Sequence, residues 1–164
     1  MRYNFPKEVM QTPRTQWPNV ILGTLGAAIS AYSIHVHNLA KAGKDTGCGF
    51  TETISCDKVL TSKWAELFGI PIGYFGILFF AIIAIMAIAT KETKTTPRQF
   101  ALQNLVLSSM GFLGSIALTY ISIQFIGAKC PVCMATHTVT TLLFIFSLRA
   151  YLRSLSSSRV SSSE

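Results

Sequence analysis

Residues 100–126 read FALQNLVLSSMGFLGSIALTYISIQFI, with no Asp, Glu, Lys or Arg among them. The same emptiness recurs at 19–40 and 72–90, and 131–151 holds only Arg149. A helix needs about 20 apolar residues to cross a bilayer core of roughly 30 Å. A soluble globule of 164 residues has too small an interior to bury four such segments. Half the chain is hydrophobic, 13% is charged and mean hydropathy is +0.45. A soluble domain carries roughly 25% charged residues. These figures exclude a soluble enzyme, a disordered chain and a small secreted disulfide scaffold. The expectation is an all-α integral membrane protein, a four-transmembrane-helix bundle. Its spans are 19–40, 72–90, 100–126 and 131–151, with a polar tail 1–18, an outer loop 41–71 and a serine-rich tail 152–164.

The net charge of +7 is distributed as topology rather than as a nucleic-acid face. With the N-terminus in the cytoplasm, Arg2, Lys7, Arg14, Lys91, Lys94, Arg98, Arg149, Arg153 and Arg159 lie inside. Lys41, Lys44, Lys58, Lys63 and Lys129 lie outside, beside Asp45, Glu52, Asp57 and Glu66. Nine basic residues against five satisfy the positive-inside rule. Both termini are therefore expected in the cytoplasm. The first apolar stretch lacks a small-x-small cleavage site and reads as a retained helix.

Pro18 suits the start of the first helix, where a missing N–H costs nothing. His35, Val36 and His37 fall near that helix's outer end. The third span carries Ser108, Ser109, Gly111, Gly114 and Ser115, small residues that let transmembrane backbones approach. In the outer segment, 41–53 is glycine-rich and polar, the composition of an adaptable loop. From Ser55 onward, Cys56, Leu60, Trp64, Leu67 and Phe68 fall at helical spacing, opposite Asp57, Lys58, Ser62, Lys63 and Glu66. This pattern predicts a short amphipathic half-helix along the membrane surface, with Cys56 on the stripe facing the bundle.

The four cysteines, Cys48, Cys56, Cys130 and Cys133, all map to the outer side, where disulfides persist. Cys130-Pro131-Val132-Cys133 is a CxxC at the start of the last helix. That position stabilises a thiolate, the species that exchanges. Cys48 and Cys56 enclose a loop short enough to close into a second disulfide, and Cys56 can instead attack Cys130. Two such pairs form a relay for two electrons. Two purely structural disulfides in a small membrane scaffold or transporter are the alternative. A four-cysteine zinc site is a poor fit to the 48/56 spacing, and haem attachment fails because Met134 follows the CxxC. A dithiol at the bilayer needs a membrane-resident acceptor, and quinones are the abundant ones. His137 lies one turn below Cys133 on the same face, where it can donate to a quinone carbonyl. It can equally be one more polar residue among Thr136, Thr138, Thr140 and Thr141, all turned into the bundle; an ionisable group in a span favours a role.

These residues together resemble the vitamin K epoxide reductase family, over about Ala31 to Arg149. The resemblance runs through Tyr32-Ser33-Ile34-His35-Val36, Cys48 and Cys56, Ile54-Ser55-Cys56, Ser62-Lys63-Trp64, Phe68-Gly69 and the final CxxC. It implies a four-helix bundle around a quinone, capped by the half-helix of the first loop. It implies that a thioredoxin-like or DsbA-like partner attacks Cys48, that Cys56 passes electrons to Cys130, and that Cys133 faces the quinone. Ser62 would support the loop, and Val59, Leu60 and Trp64 would form the cap. Ile72, Phe75, Leu118 and His137 would complete the quinone site. Ile72 stands where vertebrate members have an asparagine, and His137 where they have a tyrosine. A bacterial inner-membrane enzyme that reduces ubiquinone or menaquinone fits this better than one acting on vitamin K epoxide. A second four-helix family with two cysteine pairs carries its CxxC in the first outer loop, the reverse order. No metal and no nucleic acid is expected; lipid surrounds the bundle.

Overall fold

The computed structural model describes residues 13–49, 51, 53–89 and 97–160. In chain order these form α1 (Pro13–Lys41), α2 (Cys56–Leu60), a 3₁₀ turn (Lys63–Ala65) and a hairpin of β1 (Glu66–Leu67) with β2 (Ile70–Pro71). Then follow α3 (Ile72–Ala89), α4 (Pro97–Ile121), a π turn (Ser122–Ile126) and α5 (Pro131–Val160). The chain is an all-α, multi-span membrane protein. Trp17–Lys41, Arg98–Ile126 and Pro131–Ser156 are long and apolar enough to cross a bilayer, and Ile72–Ile88 is apolar but shorter. Ile21, Leu78, Ile85, Met110 and Leu113 stand out on the bundle's surface. Such a belt of large apolar side chains suits lipid as solvent.

The bundle is held by close approach rather than by hydrophobic segregation, because lipid is as apolar as the side chains. Helix α1 packs most extensively on α3, α4 packs on α5, and α3 and α4 barely touch. A Cβ on Gly23 would lie 3.0 Å from the Phe80 carbonyl and 3.1 Å from the Ala84 Cβ. On Gly73 it would lie 2.6 Å from Ile34 Cγ1 and 3.1 Å from the Ser30 carbonyl. Between the helices Phe80, Ile83, Val139 and Leu143 form a buried core. The rings of Phe112 and Phe144 stack at 4.9 Å to hold α4 on α5. The hydroxyls of Ser108 and Ser115 return to the carbonyls of Leu105 and Phe112 on their own helix.

Several expected boundaries move. Helix α1 begins at Pro13, so Pro18 sits inside it rather than at its start. There the ring removes only the bond to the Arg14 carbonyl, close to the helix end. Helix α5 continues to Val160, carrying most of the serine-rich tail into helix. The half-helix is shorter than its apolar spacing suggests: α2 stops at Leu60, and Glu66 pairs with Pro71 and Leu67 with Ile70 in antiparallel register. Phe68 and Gly69 both take positive φ, 54° and 78°, as a two-residue hairpin turn requires. Phe68 therefore leaves the stripe and is 92% exposed at the turn's tip. Residues 1–12 of the expected tail, the connection 90–96 and residues 161–164 lie outside the described residues.

Gly23→Leu should separate α1 from α3, because the nearest obstacle is backbone. We expect a loss of about 1–3 kcal/mol, the usual scale of overpacking, read as a lower Tm in detergent. An unchanged Tm would show that these helices are not locked at Gly23.

Candidate active site

Cys56 is the first residue of α2 and is fully buried. Ser55 caps that helix, its Oγ accepting the Lys58 N–H at 3.3 Å. Cys56 is joined by a disulfide to Cys48 across a Cα–Cα distance of 5.5 Å. The connecting loop is tied down from both sides. Thr46 Oγ1 donates to Asp57 Oδ1 at 2.7 Å, beside the disulfide, and the Gly47 N–H donates to Asp45 Oδ1 at 3.0 Å. The described part of this loop forms a strap that carries Cys48 to the start of α2.

The same strap is stitched to the segment that leads into α5. The Lys129 N–H donates to the Thr53 carbonyl at 2.8 Å, and the Ser55 N–H donates to the Lys129 carbonyl at 3.0 Å. These bonds form a parallel bridge between Ile54 and Lys129. The π turn presents that segment: Gly127 takes φ 69°, and the Ser122 carbonyl accepts the Ala128 N–H while its Oγ donates to the Ala128 carbonyl at 2.6 Å. One residue past Lys129, Cys130 Sγ lies 3.4 Å from Cys56 Sγ. Cys130 is buried, Cys133 is half-buried, and both are free thiols.

The Cys133 N–H donates to Cys130 Sγ at 3.3 Å, a contact available only at the start of a helix. Hydrogen bonding from the Cys133 thiol holds the Cys130 thiol below its ordinary value. Burial works against this, and the N–H groups of Cys133 and Val132 assist it. Cys130 Sγ is placed against a sulfur of the Cys48–Cys56 disulfide, in a site sealed by Val36, Val59, Leu60 and Ala128.

Beneath the cysteines a cavity of about 480 Å³ opens where α3 and α4 stand apart. Cys130 and Cys133 line it, with every residue expected at the quinone site, Val59, Leu60, Trp64, Ile72, Phe75, Leu118 and His137, and with the supporting Ser62. Cys48 and Cys56 sit outside this lining, on the far side of Cys130. Ser62 Oγ donates to the Val59 carbonyl at 2.7 Å, bracing the end of α2. Trp64 packs on Phe125 at a ring distance of 5.8 Å, with Lys63 Nζ over its outer side. Of the four threonines, Thr140 is buried but Thr138 is exposed, donating to the Met134 carbonyl; only part of that polar set faces the bundle. Thr140 and Thr141 bond back to the Thr136 and His137 carbonyls.

A family model described as the Vitamin K epoxide reductase family matches residues 17–148. The chain belongs to that family. It is an oxidoreductase of the thiol-disulfide and quinone type, with its cysteine pairs positioned for redox chemistry. The cavity fits a quinone by volume and by character: roughly 300–1,000 Å³ is usual for a small-molecule site, with apolar walls and a few polar groups. Here those groups include His37, Ser62, His137 and the two thiols.

His37 is the residue that sequence reasoning passed over. It is 3% exposed, lines the cavity and bonds to the cap. The cost of an ionisable group in an apolar helix, which singles out His137, applies to His37 with equal force.

With Cys56 and Cys130 as the only cysteines (Cys48→Ala, Cys133→Ala), mild oxidation should join them rapidly. Lys129→Pro removes the donor to Thr53 and should slow that cross-link about fivefold or more, the scale of one lost hydrogen bond. Non-reducing mass spectrometry measures it; an unchanged rate would show that the bridge does not set the sulfur–sulfur distance.

Proposed function

We propose that this protein oxidises a thioredoxin-like or DsbA-like dithiol outside the cytoplasm and passes the two electrons to ubiquinone or menaquinone in the bilayer. The observation that carries the reading is the 3.4 Å contact between Cys56 and Cys130, directly above a cavity that Cys133 lines. The partner's thiolate attacks Cys48 and releases Cys56; the partner's second thiol then resolves the mixed disulfide and leaves as its own disulfide. Cys56 attacks Cys130 of the oxidised Cys130–Cys133 pair, forming a Cys56–Cys130 bond and releasing the Cys133 thiolate. Cys48 closes back on Cys56 and frees Cys130. The Cys130–Cys133 dithiol then gives two electrons and two protons to the quinone and returns to its disulfide. Val59, Leu60 and Trp64 cover the site, with Ser62 bracing them. Ile72, Phe75 and Leu118 supply apolar walls, and His137 the hydrogen-bond donor on the α5 side.

In this reading residues 19–151 are one membrane domain with cytoplasmic tails on either side, in a bacterial inner membrane. Helix α3 is its fourth span. Its 18 residues rise about 27 Å, close to the thickness of the hydrocarbon core. The cysteines then face the oxidising side, as the excess of basic residues at the other end requires. Two structural disulfides in a membrane scaffold account less well for a free Cys130–Cys133 pair in sulfur contact with the other bridge.

The test is quinone reduction by purified protein with a reduced thioredoxin-like donor. Cys133→Ala should abolish turnover while Cys48 still forms a mixed disulfide with the donor; full turnover would remove Cys133 from the quinone step. Leu60→Asp should raise the KM for quinone about tenfold or more by putting a charge in the apolar cap. A wild-type KM in that variant would detach the cap from binding.

A further inference from the structure

His37 has an acceptor on each ring nitrogen. Its Nδ1 lies 2.7 Å from the carbonyl of Leu60, the last residue of α2, and its Nε2 lies 3.2 Å from Glu66 Oε1 on the hairpin. Neutral imidazole carries one N–H and can serve only one of these; the other contact would set lone pair against lone pair. The Leu60 carbonyl, at the end of a helix, has no donor further along α2. Its helix neighbours are served locally: the N–H groups of Thr61 and Ser62 go to Asp57 and Val59.

The geometry points to His37 as a positioning residue that closes the cap over the cavity, and that does so only as the imidazolium. The protonated ring joins α1 to both halves of the cap, α2 through Leu60 and the hairpin through Glu66. Since Leu60 lines the cavity, that clamp sets how tightly the site is covered. Loss of one proton breaks one of the two bonds and loosens the cover.

Charged and titratable groups reach this site from several elements. On α1, Lys41 pairs with Glu66 one turn beyond His37, and exposed His35 lies on another face. The hairpin contributes Glu66, whose carboxyl is held below the usual carboxylate range by the Lys41 hydrogen bond. Partial burial opposes this, and the charges of Lys41 and His37 add to it. Glu66 therefore stays ionised across neutral pH. From α5 and its approach, Lys129, Cys130, Cys133 and His137 line the same cavity. Among the described residues, no titratable side chain of α3, α4 or the π turn lines it.

Two substitutions separate the two bonds. An asparagine in place of His37 would set an amide donor near the Nδ1 position, so His37→Asn keeps the Leu60 contact without a proton to lose. Glu66→Gln removes the charge that the Nε2 side faces. The structural arm needs no quinone chemistry. Backbone hydrogen exchange over 57–67 is measured in the full chain at about pH 5.5 and about pH 8.5, the interval in which histidine is the side chain that serves as a proton switch. After correction for intrinsic rates, wild type should lose about tenfold protection at the higher pH, the scale of a charge-assisted hydrogen bond. Glu66→Gln should show lowered protection already at the lower pH, and His37→Asn should be insensitive to pH. The kinetic arm rests on the quinone reading above. There the wild-type KM for a short-chain quinone should rise by a similar factor between the two pH values. His37→Asn should hold it flat, and His35→Asn should keep the wild-type profile. A pH-independent wild type, or a His37→Asn protein that keeps the wild-type profile, would overturn the proposal. Absence of any quinone turnover in wild type would sink the quinone reading and leave the exchange arm to decide the clamp.

Discussion

Lys129 donates its N–H to the Thr53 carbonyl and accepts the Ser55 N–H on its own carbonyl. Those two bonds set the distance between cysteine pairs that lie 74 residues apart along the chain. A strap held only at its ends would sample many positions for Cys56, and exchange needs nearly one. The bridge removes that freedom without rigidifying the sulfurs themselves. A slip of one residue would displace Cys56 by about 3.3 Å, enough to take the two sulfurs out of contact. The bridge also pairs backbone groups of two segments that have no helix of their own at that level. The N-cap of Ser55 and the Thr46–Asp57 bond then act on a loop whose position is already fixed.

The cavity comes from an asymmetry in how the helices pack. Small residues on both sides bring α1 against α3, and ring stacking brings α5 against α4, while α3 and α4 are left apart. One helix shows both uses of a missing side chain. At Gly111 of α4 the notch is filled by the Phe79 ring, whereas a Cβ on Gly114, one turn on, would meet nothing within 4 Å. The first glycine closes the bundle below the site, and the second leaves room within it. Polar groups enter at the rim, where cap and CxxC meet, and again from α5 through Thr136, His137 and Thr140. This leaves a largely apolar space with hydrogen-bonding groups at separate points on its wall.

Much of this was legible in the sequence, because absence of charge over a helix-length stretch has one inexpensive explanation. The four cysteines and every residue expected at the quinone site fall around one cavity or beside it. The shape of the cap was not legible. Cys56, Leu60, Trp64 and Phe68 keep helical spacing in sequence, yet Phe68-Gly69 takes the left-handed turn of a hairpin. Periodicity over so few residues cannot separate a helix from a helix followed by turns. The π turn was hidden for a related reason: it changes hydrogen-bond pattern without changing composition, and Ser122 reads as an ordinary span serine. His37 was visible as a residue type, but its role depends on a carbonyl 23 positions away, which no local pattern contains.

The contact between Cys56 and Cys130 is symmetric, which bears on how flow is directed. With Cys48 and Cys56 joined and the other pair reduced, the Cys130 thiolate faces a disulfide it can attack, and electrons can run back to the Cys48–Cys56 pair. Geometry therefore permits exchange both ways and chooses neither direction. Two features bias the outcome. Hydrogen bonding from Cys133 stabilises the Cys130 thiolate, and so weakens it as a nucleophile even while populating it. That donor disappears once Cys133 is oxidised, when Cys130 is no longer a thiolate but the target of Cys56. The remaining bias is the potential of the acceptor. For a two-electron couple about 30 mV corresponds to tenfold in equilibrium, so a modestly more oxidising quinone suffices to draw electrons inward. On the proposed path the protein supplies proximity and a covered site, and the bilayer's quinone pool supplies direction.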